Sequence, residues 1–117
     1  MNNFKELKVW QKAIEIATDI YVLTKTFPKE EQFGIVNQMR RAACSIAFNI
    51  AEGDGRNTEK EFNHFLGIAI GSSFETETQL IVSKNVGYIS EEQLCSISEK
   101  IAENQKMIRG LQKTLNL

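Results

Sequence analysis

Leu94, Ile97, Ile101, Asn104, Ile108, Leu111 and Leu115 alternate steps of three and four. That spacing is a heptad seam, the apolar stripe by which a helix lies against its neighbours in a bundle or coiled coil. A helix cannot bury such a stripe by itself, so the rest of the chain must supply partner helices. Asn104 interrupts the seam, either as a buried amide that fixes register or as a residue at a frayed edge.

The residues before the seam divide into three more helices. The first is expected from about Leu7 to Thr26, with Leu7, Trp10, Ile14, Ala17, Tyr21 and Thr24 on its central face and Val9, Ile16 and Leu23 on a second row. Its apolar arc spans roughly 200°, against roughly 100° or a little more for an ordinary surface helix, which predicts burial against something beyond its own bundle. Pro28 ends that pattern and suits the first turn of the next helix, expected from Lys29 to Glu52. Phe33, Val36, Ala43, Ile46, Ala47 and Ile50 form its inward face. Gly53 and Gly55 are expected to stop it by adopting positive φ. Thr58 with Glu61, and Ser90 with Gln93, read as capping boxes that open helices over 58–86 and 90–114. Phe62, Phe65, Leu66, Ala69, Ser73, Thr76 and Leu80 face inward on the third helix, which closes at Gly87. Connections this short make successive helices antiparallel neighbours. The expected fold is all-α: one domain over residues 1–117, an antiparallel up-down-up-down four-helix bundle.

Residues 38 to 56 read QMRRAACSIAFNIAEGDGR. On a helix, Gln38, Arg41, Ser45, Asn49 and Glu52 share one stripe opposite the apolar face. Amides, a hydroxyl, a guanidinium and a carboxylate form a bonding set, unlike the Lys and Glu of a plain solvated face. The third helix has a matching back face of His64, Gly67, Gly71, Glu75 and Thr78. Glycine inside a helix costs about 1 kcal/mol relative to alanine. Two of them point to a close backbone approach, or to a helix packed well enough to tolerate them. Antiparallel pairing about a turn near Arg56 sets Arg41 opposite Gly71, Ser45 opposite Gly67 and Gln38 close to Glu75. A bidentate Arg41–Glu75 pair, within one chain or between chains, is therefore expected. These back faces read as a solvated polar surface, a subunit interface, or a ligand or nucleic-acid surface.

Charge narrows the function classes. The chain of 117 residues has a net charge of −1, with no strongly basic half to mark nonspecific nucleic-acid binding. Any basic surface must be local, around Arg40, Arg41 and Arg56, or around Lys106, Arg109 and Lys113. Cys44 and Cys95 sit in helical patterns with no metal-ligand neighbour and read as reduced packing thiols of a cytoplasmic protein. His64 is the sole histidine, so neither a zinc site nor a nucleophilic triad is expected. Glu61 and His64 make one Glu-x-x-His spacing, but the second copy that a di-iron bundle needs is missing. Gly53-Asp54-Gly55 lacks the Lys-Ser/Thr of a phosphate loop. No catalytic residue, cofactor or metal is expected. No apolar run reaches the roughly 20 residues of a membrane span, and the N-terminal residues show no signal-peptide core.

The residues that mark a family are Leu7-Lys8-Val9-Trp10, Phe27-Pro28-Lys29-Glu30-Glu31 and Gln38-Met39-Arg40-Arg41-Ala42-Ala43, followed by Ser45, Asn49-Ile50-Ala51-Glu52-Gly53 and Arg56. Phe62, Phe65-Leu66, Gly71-Ser72 and Glu75 complete the set. Over nearly its whole length the chain resembles the four-helix bundle proteins encoded within intervening sequences of 23S ribosomal RNA genes, which carry a ribosomal-protein-like label. That resemblance implies an antiparallel bundle assembled as a ring of five subunits, and no enzymatic activity. The chain is also similar to the accessory proteins of diversity-generating retroelements, which bind a reverse transcriptase and nucleic acid. Those relatives are strongly basic, whereas this chain is slightly acidic. The leading expectation is a non-enzymatic homo-oligomer that serves as an RNA-associated or scaffold protein. Arg40, Arg41 and Arg56 are its first candidates for phosphate contact; ion pairs with Glu75, Glu52 or Asp54 are the alternative role for these arginines. The alternative function is a protein-interaction module that is accessory to a polymerase or reverse-transcriptase-like enzyme.

Overall fold

A computed structural model describes residues 3–117, and every regular element among them is helical. Four α-helices follow in order: α1 (Lys8–Thr24), α2 (Ile35–Asp54), α3 (Glu59–Asn85) and α4 (Glu91–Thr114). Short 3-10 turns at Phe4–Glu6 and Lys29–Glu31 precede α1 and α2.

Local chemistry sets the starts of α3 and α4. The Thr58 hydroxyl accepts from the Glu61 backbone N–H at 3.1 Å. Ser90 and Gln93 each accept from the other's backbone N–H, at 3.0 and 2.9 Å, which completes a capping box. The box at Thr58 is only half formed, because the Glu61 carboxylate takes the Thr58 hydroxyl at 3.2 Å instead of its backbone N–H. After α3, Gly87 takes φ +86°, the one positive φ among the described residues, and turns the chain toward α4.

The start of α2 departs from the pattern. A helix expected from Lys29 begins only at Ile35, because Lys29–Glu31 closes as a separate 3-10 turn and Gly34 leaves the helical region with φ −106° and ψ −117°. Long-range contacts hold this break. The Tyr88 hydroxyl donates to Glu31 Oε2 at 2.6 Å, and the Tyr88 ring lies 5.2 Å from that of Phe27. The linker is thus fastened to the α3–α4 turn rather than continued as helix. Phe33, expected in the core, is instead 94% exposed.

The end of α2 also differs. The helix passes through Gly53 to Asp54, and Gly55 stays right-handed with φ −82°, so neither glycine stops the helix by positive φ. Gly53 is needed for space: a Cβ there would lie 2.8 Å from the Phe62 ring and 2.8 Å from Phe65 Cβ.

One contiguous cluster joins the four helices, with Ile16 and Ile20 of α1, Met39, Ile46 and Ile50 of α2, Leu66 and Leu80 of α3, and Ile101 and Ile108 of α4 at its centre. Each such side chain gains roughly 1.5–3 kcal/mol from leaving water. The inward face of α1 is rotated from the expected one. Ala13, Ile16 and Ile20 are buried, while Ile14 and Tyr21 are 39% and 42% exposed.

Contacts between neighbouring helices run in opposite senses along the chain. Met39 meets Ser83 and Ser45 meets Ser72 across α2 and α3. Gln105 meets Ser73 and Lys84 meets Glu91 across α3 and α4. Lys12 meets Glu103 and Lys100 meets Asp19 across α1 and α4. Asn104 is fully buried, not at a frayed edge. Its Nδ2 donates to the Val9 carbonyl at 2.9 Å, which ties α4 to the first turn of α1, while its Oδ1 has no partner.

A charged cluster reinforces the α1–α4 contact. Lys100 Nζ lies 2.7 Å from Asp19 and 2.9 Å from Glu15. Hydrogen bonds to Asp19 and Glu15 push the Lys100 ammonium up to about 12. The Lys100 hydrogen bond and charge, with Lys12 behind them, hold the Glu15 carboxyl below its ordinary value.

Candidate interaction surface

The polar stripe of α2 divides into three parts. In the middle, Ser72 Oγ of α3 donates to Ser45 Oγ at 2.9 Å. Asn49 Nδ2 donates to the same hydroxyl at 2.9 Å and to the Ser45 carbonyl at 2.8 Å. Ser45, Asn49 and Ser72 are at least half-buried, and together they form a polar seam bonded within the chain. At the C-terminal end, Glu52 pairs with Arg56 at 2.9 Å, and the Arg56 guanidinium lies 4.8 Å over the Phe65 ring. At the N-terminal end, Gln38, Arg41, Ala42, Ser45 and Glu75 line an open cleft of about 350 Å³.

Arg41 and Glu75 therefore share a cleft, yet no ion pair joins them within the chain. The register differs from the expected one. Ser45 is level with Ser72, five positions past Gly67, because α2 continues to Asp54 and α3 begins only at Glu59. Arg40 is engaged elsewhere: its Nε donates to Thr24 Oγ1 at 3.0 Å, and its guanidinium lies 4.6 Å over the Tyr21 ring. Its partners belong to α1, not to the carboxylates of α2 and α3. Of the three arginines expected at a phosphate surface, Arg40 and Arg56 are committed within the chain and Arg41 stands open.

Gly67 and Gly71 do not mark a close approach inside this chain. A Cβ at either position would meet nothing within 4 Å. The two glycines lie instead on an outward ridge of α3 with apolar flanks. Ile68, Glu75 and Val82, spaced by seven, lie toward α2; Phe74 and Ile81, also seven apart, lie toward α4. All four apolar residues are exposed, as are Phe48 on α2, at 71%, and Tyr21 and Ile14 on α1. Tyr21 and Phe48 line one cleft with Arg41, and exposed apolar groups that gather in this way mark an interaction surface. Phe48, Ile68 and Val82 did not stand out in the sequence, and Ser72 stood out only as a family marker, not as the partner of Ser45. The signal for the α3 residues was present, since α3 is apolar on both its inner and outer faces.

His64 is exposed, with its ring 5.5 Å from that of Phe65. Cys44 and Cys95 are both free thiols. The neighbouring Cys44 and burial push the Tyr21 phenol up, and Arg40 acts the other way. No three His, Cys, Asp or Glu side chains gather as a metal-holding group among the described residues. No helix among them is long and apolar enough to cross a membrane.

Four helices around one core, with a bonded polar seam and an uncovered outer face, define an all-α class of protein. The chain belongs to the family of 23S rRNA-intervening sequence proteins, whose family model matches residues 5–110. It is similar to a protein of unknown function from the S23 ribosomal protein family of Bacteroides thetaiotaomicron VPI-5482, known from its crystal structure. The two share 32% identity and superpose with a TM-score of 0.83, over 91% of this chain and 96% of that one. No curated protein matches the chain.

Proposed function

We propose that this chain is an antiparallel up-down-up-down four-helix bundle that acts in the cytoplasm as a non-enzymatic homo-oligomer. The α1–α2–α3 side is the contact between copies. One observation carries the proposal: open glycines, exposed apolar side chains and two unpaired opposite charges coincide on that side. A second copy supplies what each feature lacks. Its backbone can approach Gly67 and Gly71, its apolar groups can cover Ile68, Val82 and Phe48, and its Glu75 can take Arg41 in a bidentate pair. A head-to-tail contact of this kind closes into a ring when the rotation between copies allows it. Five copies is the number that resemblance to the family implies.

Charge reversal tests the contact. Arg41→Glu and Glu75→Arg should each lower the solution mass, and the double variant should restore it. Single variants with unchanged mass, or a double variant that is no better than either single, would remove the pair from the interface.

RNA association is the second reading. It is favoured by Arg41, which has no carboxylate partner, and by cations on α4 that are likewise unpaired.

A further inference from the structure

The far edge of α4 differs in charge from the edge that meets α1. Toward α1, Lys100 is held by Asp19 and Glu15, and Glu103 takes Lys12 at 3.4 Å. Away from it, Lys106, Arg109 and Lys113 follow one another at steps of three and four, and none makes an ion pair. Arg109 has only a bond to Gln112 Oε1, at 3.2 Å. These three cations line a groove of about 510 Å³ with Phe74 of α3, and no carboxylate lines it. Gly110 leaves the groove open, since a Cβ there would meet nothing within 4 Å. Phe74 is 51% exposed in its wall. A chain of net charge −1 has thus gathered unpaired cations around an aromatic ring on one side.

Spacing and chemistry fit one kind of occupant. Lys106 and Lys113 are seven residues apart, roughly 10 Å along the helix. That is three steps of ~3.4 Å, the rise across about four stacked nucleotides. Cations that follow a backbone beside an aromatic platform are the pattern of single-strand binding.

We infer that the α3–α4 groove binds single-stranded RNA, with Lys106, Arg109 and Lys113 on three phosphates of a stretch of about four nucleotides and one base stacked on Phe74. This inference rests on the RNA-association reading, but it assigns contact to a different face from Arg41. The groove lies on the α4 flank of α3, so RNA and a second copy of the chain can be held together.

Fluorescence anisotropy of the full chain with a labelled single-stranded RNA of about ten nucleotides tests the assignment across about 50 to 200 mM salt. Three phosphate contacts give a log-affinity against log-salt slope of about −2, at ~0.7 per phosphate. Lys106→Gln and Lys113→Gln should each reduce the slope by about 0.7. Phe74→Ser should weaken binding about five- to a hundredfold and leave the slope unchanged. Matching helicity by circular dichroism shows that each surface variant is folded. Binding that ignores these substitutions but is lost in Arg41→Gln overturns the groove and leaves the RNA reading standing. No binding at the lowest salt overturns both. A DNA oligomer bound more weakly than the RNA, or equally well, supports the groove; DNA bound in place of RNA overturns the occupant. So does polyglutamate that binds more tightly than RNA.

Discussion

Alanine at Gly67 and Gly71 should push the folded chain and its assembly in opposite directions. Both glycines lie within α3, where alanine is favoured by about 1 kcal/mol per site. Beyond the local helix backbone, no atom lies within 4 Å of either new methyl, so no clash opposes the gain. The double variant should therefore stabilise the isolated chain by about 2 kcal/mol, or roughly 8 °C in melting temperature for a domain of this size. The proposed interface reverses the sign, because a methyl placed where two backbones meet costs about 1–3 kcal/mol. Assembly should weaken about five- to a hundredfold per substitution. Urea unfolding at dilutions where the variant runs as one copy reads the first effect, and sedimentation velocity over a concentration series reads the second. A stabilised variant that assembles as tightly as the parent would refute the role given to the glycines. A destabilised single copy would mean that α3 meets a backbone within its own chain.

Three other outcomes follow from the packing and the charges. Gly53→Ala should lose up to about 2 kcal/mol in urea unfolding, because overpacking against Phe62 and Phe65 at about 1–3 kcal/mol outweighs the helix gain of about 1 kcal/mol; a stabilised variant would contradict the contact. Asn104→Leu should stay within about 1 kcal/mol of the parent, since the lost bond to Val9 is offset by removal of the unpartnered Oδ1. Asn104→Asp should lose about 3–5 kcal/mol near neutral pH and recover part of it on acidification; equal stability of all three would contradict the burial. The stability difference between parent and Lys100→Gln should be constant through neutral pH. Lowering of the Glu15 carboxyl stabilises above its ordinary value of 4.5 and is lost as pH falls through the folded value. Raising of Lys100 stabilises fully below 10.5 and is lost as pH rises through about 12. A difference that titrates near pH 7 would assign the effect to another group.

Helix identity was legible in the sequence because it depends on local chemistry. The capping residues Thr58 and Ser90 and the seam through Ile97, Ile101 and Ile108 act within a turn or two of chain. The gap before Ile35 was not legible, since Tyr88 and Phe27 hold it from afar and Pro28 fits a 3-10 turn as well as a helix. Gly53 was misread for a similar reason. Gly53, Gly67 and Gly71 are alike as letters within helices, yet the first has no room for a methyl and the other two face open space. With Gly53 read as a stop, the turn between α2 and α3 was placed too early. The expected register slipped with it, and Ser72 was lost as the partner of Ser45. The α2 stripe residues themselves were found from spacing alone. Which of them bond inside the chain and which stand open depends on that register.

Multi-angle light scattering of the full chain over a concentration series tests the homo-oligomer most directly. The prediction is a particle of several copies of the 13.3 kDa chain, five by family resemblance, that falls toward a single copy in Arg41→Glu. A single species of 13.3 kDa at every concentration would contradict it and leave the open face of α3 without the proposed partner.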